Sequence, residues 1–430
     1  MSVRVALTLP PRHADLDLLA PLLARVDLFE ITPETTWFSD TRGSLRPNSF
    51  HRRFAELLRT HRKSAIAHGV GLSPGSARPD PQRRRRWLER IAADHAAFRF
   101  EWYSDHYGAT ELCGEELLLP QPLPDDSVDP MAADGAVAAT RSTLAALQEL
   151  LPDVALENSA FLAEAPDPAA QARLLARCIA APRCWIVLDL HNLHVMARNG
   201  GVAAERFLSE LPFDRVIELH LSGGRASDPA WLRSGRSLRL DSHDTAVPEA
   251  VFALAEAVAP RCPALRAVTL ERMESTFGAA DVAGMQVEID RLQAIAATAA
   301  AAAPPTGTAP TSLREKANRP AIDRLATLQQ RLAGLVRAAD PRAAYATLAA
   351  PEFAAFGADG FELTSLLVAR LRFERVMHGS AQARADFERD PAAFAAAFRR
   401  FHVACAPVGG MPQDEGQAFD CWRRGTPAER

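Results

Sequence analysis

Histidine and carboxylate residues recur at one kind of position in this sequence, directly behind a short apolar run. Ser64-Ala-Ile-Ala-His68 ends in an imidazole, and Phe98-Arg-Phe-Glu-Trp-Tyr-Ser-Asp-His106 ends in Asp105 and His106. Val154-Ala-Leu-Glu157-Asn158 ends in a carboxylate and an amide, and Cys184-Trp-Ile-Val-Leu-Asp189 leads on to His191 and Asn192. Val216-Ile-Glu-Leu-His220 and Ala267-Val-Thr-Leu-Glu271 repeat the pattern, and Asp241-Ser-His243 adds two more candidate ligands. Imidazole and carboxylate together suit iron, manganese or zinc, and the absence of thiolates among them argues against an iron–sulfur cluster. His68, His106, Glu157, Asp189, His191, His220, Asp241, His243 and Glu271 are more ligands than one octahedral ion uses. Two or three ions bridged by carboxylates would absorb them. A lone strand-end His or Glu can simply hydrogen-bond a loop. That bland explanation has to hold independently at most of these positions. His13 and His194 are read as bystanders.

The elements that position these groups follow from the apolar runs. Four to eight apolar residues in a row read as a strand buried on both faces. Eight such strands are expected, at residues 3–9, 27–32, 64–68, 98–106, 154–158, 184–189, 216–220 and 267–271. Glu30 lies inside the second and Glu34 just beyond it. Helical stretches alternate with the strands, at about 16–23, 52–59, 82–98, 133–151, 168–179, 205–211, 248–259 and 282–303, with Asn199-Gly-Gly201 read as a turn. Eight strands alternating with helices predict an α/β fold, a (β/α)8 TIM barrel, over a doubly wound open sheet. In a closed barrel the C-terminal strand ends converge on one mouth, so scattered ligands meet there. The glycines of Gly69-Val-Gly-Leu-Ser-Pro-Gly75 suit a tight loop at such an end. No Lys-Ser/Thr follows them, which argues against a phosphate cradle. Arg83 to Arg86 read as a solvated helical face, with a docking patch for an acidic peptide as the alternative.

The chain has 430 residues, beyond the size at which one core stops growing, so a second domain is expected. Residues 1–298 are assigned to the barrel. Residues 299–313, rich in Ala, Pro and Thr, lose apolar periodicity and read as a linker. Residues 314–430 read as a small all-helical C-terminal domain, with helices at about 322–338, 362–377 and 381–401. Asp390-Pro391 has the form of an N-cap followed by proline at the first helical position. His378 and His402 are read there as surface or packing residues. Hydrophobic residues make up 48% and charged residues 24%, an ordinary globular balance. A net charge of −4 gives no support to nucleic-acid binding. No apolar run is long enough to cross a bilayer and no targeting segment is visible, so a cytoplasmic protein is expected. Six scattered cysteines without a Cys-x-x-Cys pair read as isolated thiols.

The ordered set His68-Gly-Val-Gly-Leu-Ser73, Ser104-Asp-His106, Leu156-Glu-Asn158, Leu188-Asp-Leu-His-Asn192, His220-Leu-Ser-Gly223, Asp241-Ser-His243 and Leu270-Glu271 resembles the multinuclear non-haem iron-dependent oxidases, the family of the methanobactin-synthesis oxidase. The resemblance covers about residues 3–275. It implies a TIM barrel holding two or three irons in mixed Fe2+/Fe3+ states, with O2 as co-substrate. It further implies action on a ribosomally synthesised precursor peptide, most often at cysteine, commonly with a partner protein that recruits the peptide. By resemblance His68, His106, Glu157, Asp189, His220, Asp241, His243 and Glu271 are metal ligands, with Asp189 and His220 central to catalysis. His191 and Asn192 join the expected ligand set and occupy a pair that is often Asn-Asn in the family. A second histidine often follows His220 in the family, where this chain has Gly224. In the implied chemistry one iron holds the substrate thiolate while another keeps positions open for O2. The helical domain is expected to take over the recruiting role of the partner protein, with a dimerisation or purely structural domain as the alternative.

Two other readings compete. One is a divalent-metal barrel isomerase or phosphodiesterase, which also sets His, Asp and Glu at strand ends. The other is a non-catalytic metal-dependent peptide-binding protein. Iron content and a requirement for O2 separate them from the oxidase.

Overall fold

The computed structural model of the protein describes residues 2–160, 162, 167–299, 318–347, 357–407 and 410–425. Eight parallel strands close into a barrel: β1 (Arg4–Thr8), β2 (Leu28–Ile31), β3 (Ser64–Gly69), β4 (Tyr103–Tyr107), β5 (Val154–Asn158), β6 (Cys184–Asp189), β7 (Val216–Leu221) and β8 (Ala267–Leu270). Each pairs with its sequence neighbours, and β1 closes the ring against β8 with Ala6 opposite Thr269. A helix follows every strand, from His13–Leu23 after β1 to Val282–Ala299 after β8. This is the expected (β/α)8 barrel.

Side chains alternate faces along a strand, and the barrel uses that period to sort its chemistry. Ala6, Leu28, Ile66, Trp102, Ala155, Val187, Ile217 and Ala267 form one apolar cluster across the barrel. Two residues further along the same strands stand Glu30, His68, Ser104, Glu157, Asp189 and Thr269, all buried. The apolar layer is therefore a floor, and the next inward-facing positions form a polar layer above it. On β7 the pairing with β6 shifts register between Ile186 and Val187, so that Val187 faces Glu218 and Asp189 faces His220. A bulge of this kind re-aims side chains. Here it brings Glu218 and His220 inward, although Ile217 already belongs to the floor.

The structure departs from the sequence expectations in several places. A helix, Leu190–Gly200, starts directly at the end of β6 and swallows the expected turn at residues 199–201, of which only Gly201 (φ +64°) ends it. His191 and Asn192 thus sit in a first helical turn. The fourth strand begins at Tyr103 because residues up to Phe98 complete the preceding helix. Two antiparallel hairpins were also not expected, Trp37–Ser39 with Leu45–Pro47, and Ala109–Leu112 with Glu115–Gln121.

Arg83 to Arg86 do not form one solvated face. Arg83 is buried against Glu111 (2.9 Å) and Glu116 (2.6 Å), and Arg84 bonds the Ser142 carbonyl (3.1 Å). Arg85 alone is exposed.

Residues 300–313 of the expected linker lie outside the described residues. Beyond them come helices Arg319–Val336, Pro341–Ala346, Ala358–Gly379, Ala381–Arg389, Pro391–Ala404 and Pro412–Arg424. Asp340 and Asp390 cap their helices ahead of proline, as Asp80, Asp129 and Asp167 do in the barrel. The first of these helices lies against Pro130–Gln148, where a side chain at Gly135 would come within 2.3 Å of the Ala321 carbonyl oxygen. Gln329 bonds the Gly75 carbonyl and the Ala77 amide (2.8 and 2.9 Å), tying this helix to the loop after β3. Its buried Leu325, Leu328 and Leu332 belong to the same continuous core as the barrel helices. A second core of Val376, Phe394, Phe398, Phe401 and Phe419 holds the later helices together. No helix among the described residues is long and apolar enough to cross a membrane.

Candidate metal centre

The polar layer and the loops above it bring four overlapping groups of ligand-type side chains together. Glu30, His68 and His220 form the deepest, and His68, His106 and Glu157 the next. Glu157, Asp189, His220 and Glu271 form a third, and His191, Asp241 and His243 the outermost. Within each group the nearest ligand atoms lie within 4.8 Å of one another. His68 Nε2 and His106 Nδ1 face the same Glu157 Oε2, at 3.2 and 3.0 Å. His220 sits between Glu30 and Glu271, with Nε2 3.0 Å from one and Nδ1 3.3 Å from the other. Asp241 Oδ1 lies 3.0 Å from His191 Nδ1 and 2.8 Å from His243 Nε2. His243 Nδ1 is 3.9 Å from Glu271, which joins the outer group to the rest.

Ten residues were expected as ligands: His68, His106, Glu157, Asp189, His191, Asn192, His220, Asp241, His243 and Glu271. The fold brings nine of them into these groups. Asn192 lies beside them and donates from its amide to Glu157 Oε1 (3.3 Å) and the Asn158 carbonyl (2.9 Å). Asp189 also caps its helix, accepting from the Asn192 backbone amide. His13 is exposed and stacks on Phe50, and His194 stands outside the groups beside His191. Asp105 faces away from His106 and accepts from the Leu72 amide (3.2 Å).

Two carboxylates had been given no role. Glu30 accepts from Thr8 (2.6 Å) through Oε1 and turns Oε2 to His220. Glu218 accepts from the Trp102 indole (2.8 Å) and lies 3.3 Å from His220 Nε2. Glu30 stands two residues past Leu28 of the floor, where alternation predicts an inward position, whereas Glu218 directly follows Ile217 of the floor and is turned inward only by the bulge in β7.

Hydrogen bonds around the groups set the form of the ligands. The Ser104 hydroxyl lies 2.9 Å from His68 Nδ1 and 3.1 Å from the Ala67 carbonyl. A carbonyl can only accept, so the single hydroxyl proton goes to Ala67 and Ser104 must accept from His68 Nδ1–H. In neutral His68 the Nε2 lone pair then points into the site, the arrangement metal-binding histidines adopt.

Gly224 is equally constrained. A Cβ there would lie 2.2 Å from the Leu240 carbonyl oxygen and 3.0 Å from His191 Cε1. The Leu240 backbone leaves no room for a side chain at this position, and the His191 ring stands next to it.

The electrostatics call for cations. Burial opposes charge on His68, but Glu157 outweighs it and raises the imidazole to about 10. Burial likewise opposes charge on Glu157, and His106 and His68 outweigh it, holding the carboxyl well below its usual range. Asp189 is pushed well above that range, first by burial and then by the Glu157, Asp241 and Glu271 carboxylates. Glu30 Oε2, His106 Nδ1, Glu157 Oε2, Asp189 Oδ2, His191 Nε2, both His220 nitrogens and Glu271 Oε2 are buried without a well-formed hydrogen bond. Buried polar atoms left in this way are costly, and ions are what this donor set fits. The six cysteines stand apart from it, with burial raising Cys178, Cys184 and Cys262 to about 12.

The model of the RiPP precursor modification enzymes MbnB/TglH/ChrH matches residues 9–297. The chain belongs to this family. A UPF0276 protein of Caulobacter vibrioides strain NA1000 is 32% identical over 261 residues, covering 59% of this chain and 80% of the relative. UPF0276 protein PA14_21580 of Pseudomonas aeruginosa is 28% identical over 282 residues, 64% of this chain and 88% of that one. Among solved structures, endonuclease IV from Thermus thermophilus is 15% identical with a TM-score of 0.40, covering 68% of this chain and 99% of that one. The 3-keto-D-glucoside 4-epimerase YcjR from E. coli is 14% identical with a TM-score of 0.39, covering 68% and 98%. Likenesses this low say nothing about chemistry.

Proposed function

We propose that the chain is an iron- and O2-dependent oxidase that modifies a residue, most often cysteine in such chemistry, of a ribosomally synthesised precursor peptide. The observation that carries this reading is the sharing of ligands. His68, His220 and Glu157 each belong to two of the four groups, and Glu271 approaches His243 of the outermost. A set joined in this way suits two or three neighbouring ions rather than one. His68, His106, Glu157, Asp189, His191, His220, Asp241, His243 and Glu271 would hold them, with Glu30 beneath. Bound iron would supply the redox partner for O2 and a positive charge that favours the substrate thiolate.

The chain's own residues do the remaining work. Ser104 fixes the His68 tautomer, and the Glu30 and Glu218 carboxylates lie beside His220 Nε2, at 3.0 and 3.3 Å. Asn192 steadies Glu157 through its amide, and the apolar floor closes the barrel beneath the polar layer. Only the mouth is then open to peptide. In this reading the C-terminal helices supply the recruiting function otherwise left to a partner protein. The test is oxygen uptake by the iron-loaded protein, with and without a cysteine-containing precursor peptide. Peptide-dependent uptake is expected. An enzyme that turns over a sugar or phosphodiester without consuming O2 would replace this reading with the divalent-metal alternative.

A further inference from the structure

An open groove of about 620 Å3 runs between the C-terminal helices and the loop that follows β7. Trp231 reaches into it from that loop, opposite Leu366, Phe398 and Val403 on the helices. Leu366 and Val403 are 38% and 41% exposed and belong to the few large apolar side chains so exposed among the described residues. Together with Trp231 and Phe398 they give the groove an apolar wall that is open to solvent.

The charge around the groove is one-sided. Glu362, its carboxylate, is already held by Arg342 (2.9 Å) and Arg233 (3.5 Å). Arg399 and Arg400 line the same groove, are exposed, and have no carboxylate partner among the described residues. A groove with an apolar wall and an unmatched cationic rim fits a segment that carries large apolar side chains beside Asp or Glu.

The groove is also mechanically joined to the metal centre. Leu232, Leu238 and Leu240 of the loop pack with Leu363 of the helix as one small core. Arg233 pairs with Asp340 (2.9 Å) and Arg236 with Asp359 (3.1 Å). Leu240 is followed directly by Asp241, a member of the outermost group. Whatever fills the groove touches the loop that carries Asp241 and His243.

We infer that the groove lined by Trp231, Leu366, Val403, Arg399 and Arg400 docks an apolar, acidic segment of the peptide substrate. This rests on the reading of the chain as one that acts on a precursor peptide. Docking there places the rest of the peptide beside the loop that leads to the barrel mouth.

The experiment selects a phage-displayed random peptide library on the full chain, then measures a fluorescein-labelled winner by anisotropy. Two double variants are compared with the parent: Arg399→Glu with Arg400→Glu, and Leu366→Asp with Val403→Asp. All four side chains are exposed, and unchanged melting of each variant confirms that it folds. Expected are winners with Asp or Glu beside large apolar residues, and binding at least roughly tenfold weaker in both variants. No enrichment, or winners that bind both variants as tightly as the parent, overturns the proposal. A dimer of the chain taken apart by Leu366→Asp with Val403→Asp also overturns it, because the occupant is then a second copy. Binding is read without turnover, so absence of iron or of oxygen uptake would count against the oxidase and leave this result standing.

Discussion

Ser104→Ala should weaken metal binding without touching a ligand. The hydroxyl gives its proton to the Ala67 carbonyl and accepts from His68 Nδ1–H, at 3.1 and 2.9 Å. Its removal leaves the Nδ1–H without an acceptor and frees the imidazole to rotate or to change tautomer. Loss of such a partner typically costs about 10- to 100-fold in metal affinity, which corresponds to about 1.4–2.8 kcal/mol. Stability should fall as well, because each buried group left unpaired costs about 1–3 kcal/mol. The substitution is nearly isosteric at a fully buried position, so the fold should survive. The assay is competition with a chelator of known affinity, run beside urea unfolding of the metal-free protein. The two readouts separate the roles of Ser104. If stability falls while metal affinity stays at the parent value, Ser104 only fills the barrel wall and the tautomer argument is wrong.

Other substitutions and conditions test the rest of the site. Asp189→Asn keeps a helix-capping side chain but removes the charge, and His220→Ala removes the imidazole shared by two groups. Both variants should fold, lose metal and lose turnover, and full metal content with full activity would reduce these residues to packing and capping. In metal-free protein the raised His68 contributes stability that is fully present below its unfolded pKa of about 6.5 and is lost as pH rises through about 10. Metal must displace that proton, so loading near neutral pH should acidify a weakly buffered solution and affinity should drop as pH falls; loading without proton release contradicts this. Gly224→Ala sets a methyl against the Leu240 carbonyl and the His191 ring, and overpacking of this kind costs about 1–3 kcal/mol. Lower metal content together with lower stability is expected, and an unchanged protein would show that His191 is not held by this contact.

Much of the barrel was legible because its signal is local. An unbroken apolar run such as Trp185 to Leu188 has one reading when turns and helices flank it. A polar residue at its end must then lie at the rim. Glu30 and Glu218 escaped because a carboxylate inside a strand carries no mark of which face it takes. Glu218 depends further on a bulge in β7 that no residue type announces. The helix Leu190–Gly200 was hidden by Asn199-Gly-Gly201, which reads as a turn although it only ends a helix. The docking of Arg319–Val336 on the barrel was out of reach for a different reason. An amphipathic pattern states that one face is buried but not against what, and here the receiving surface is made by Gly75, Ala77 and Gly135, far away in sequence.

The central claim is that this mouth holds more than one iron, and metal stoichiometry tests it directly. The protein is loaded anaerobically with ferrous iron, freed of loose metal, and analysed for iron, zinc, manganese and magnesium per chain. Two or more irons per chain are expected, falling sharply in His220→Ala. A single zinc or magnesium per chain, undisturbed by excess iron, would contradict the account.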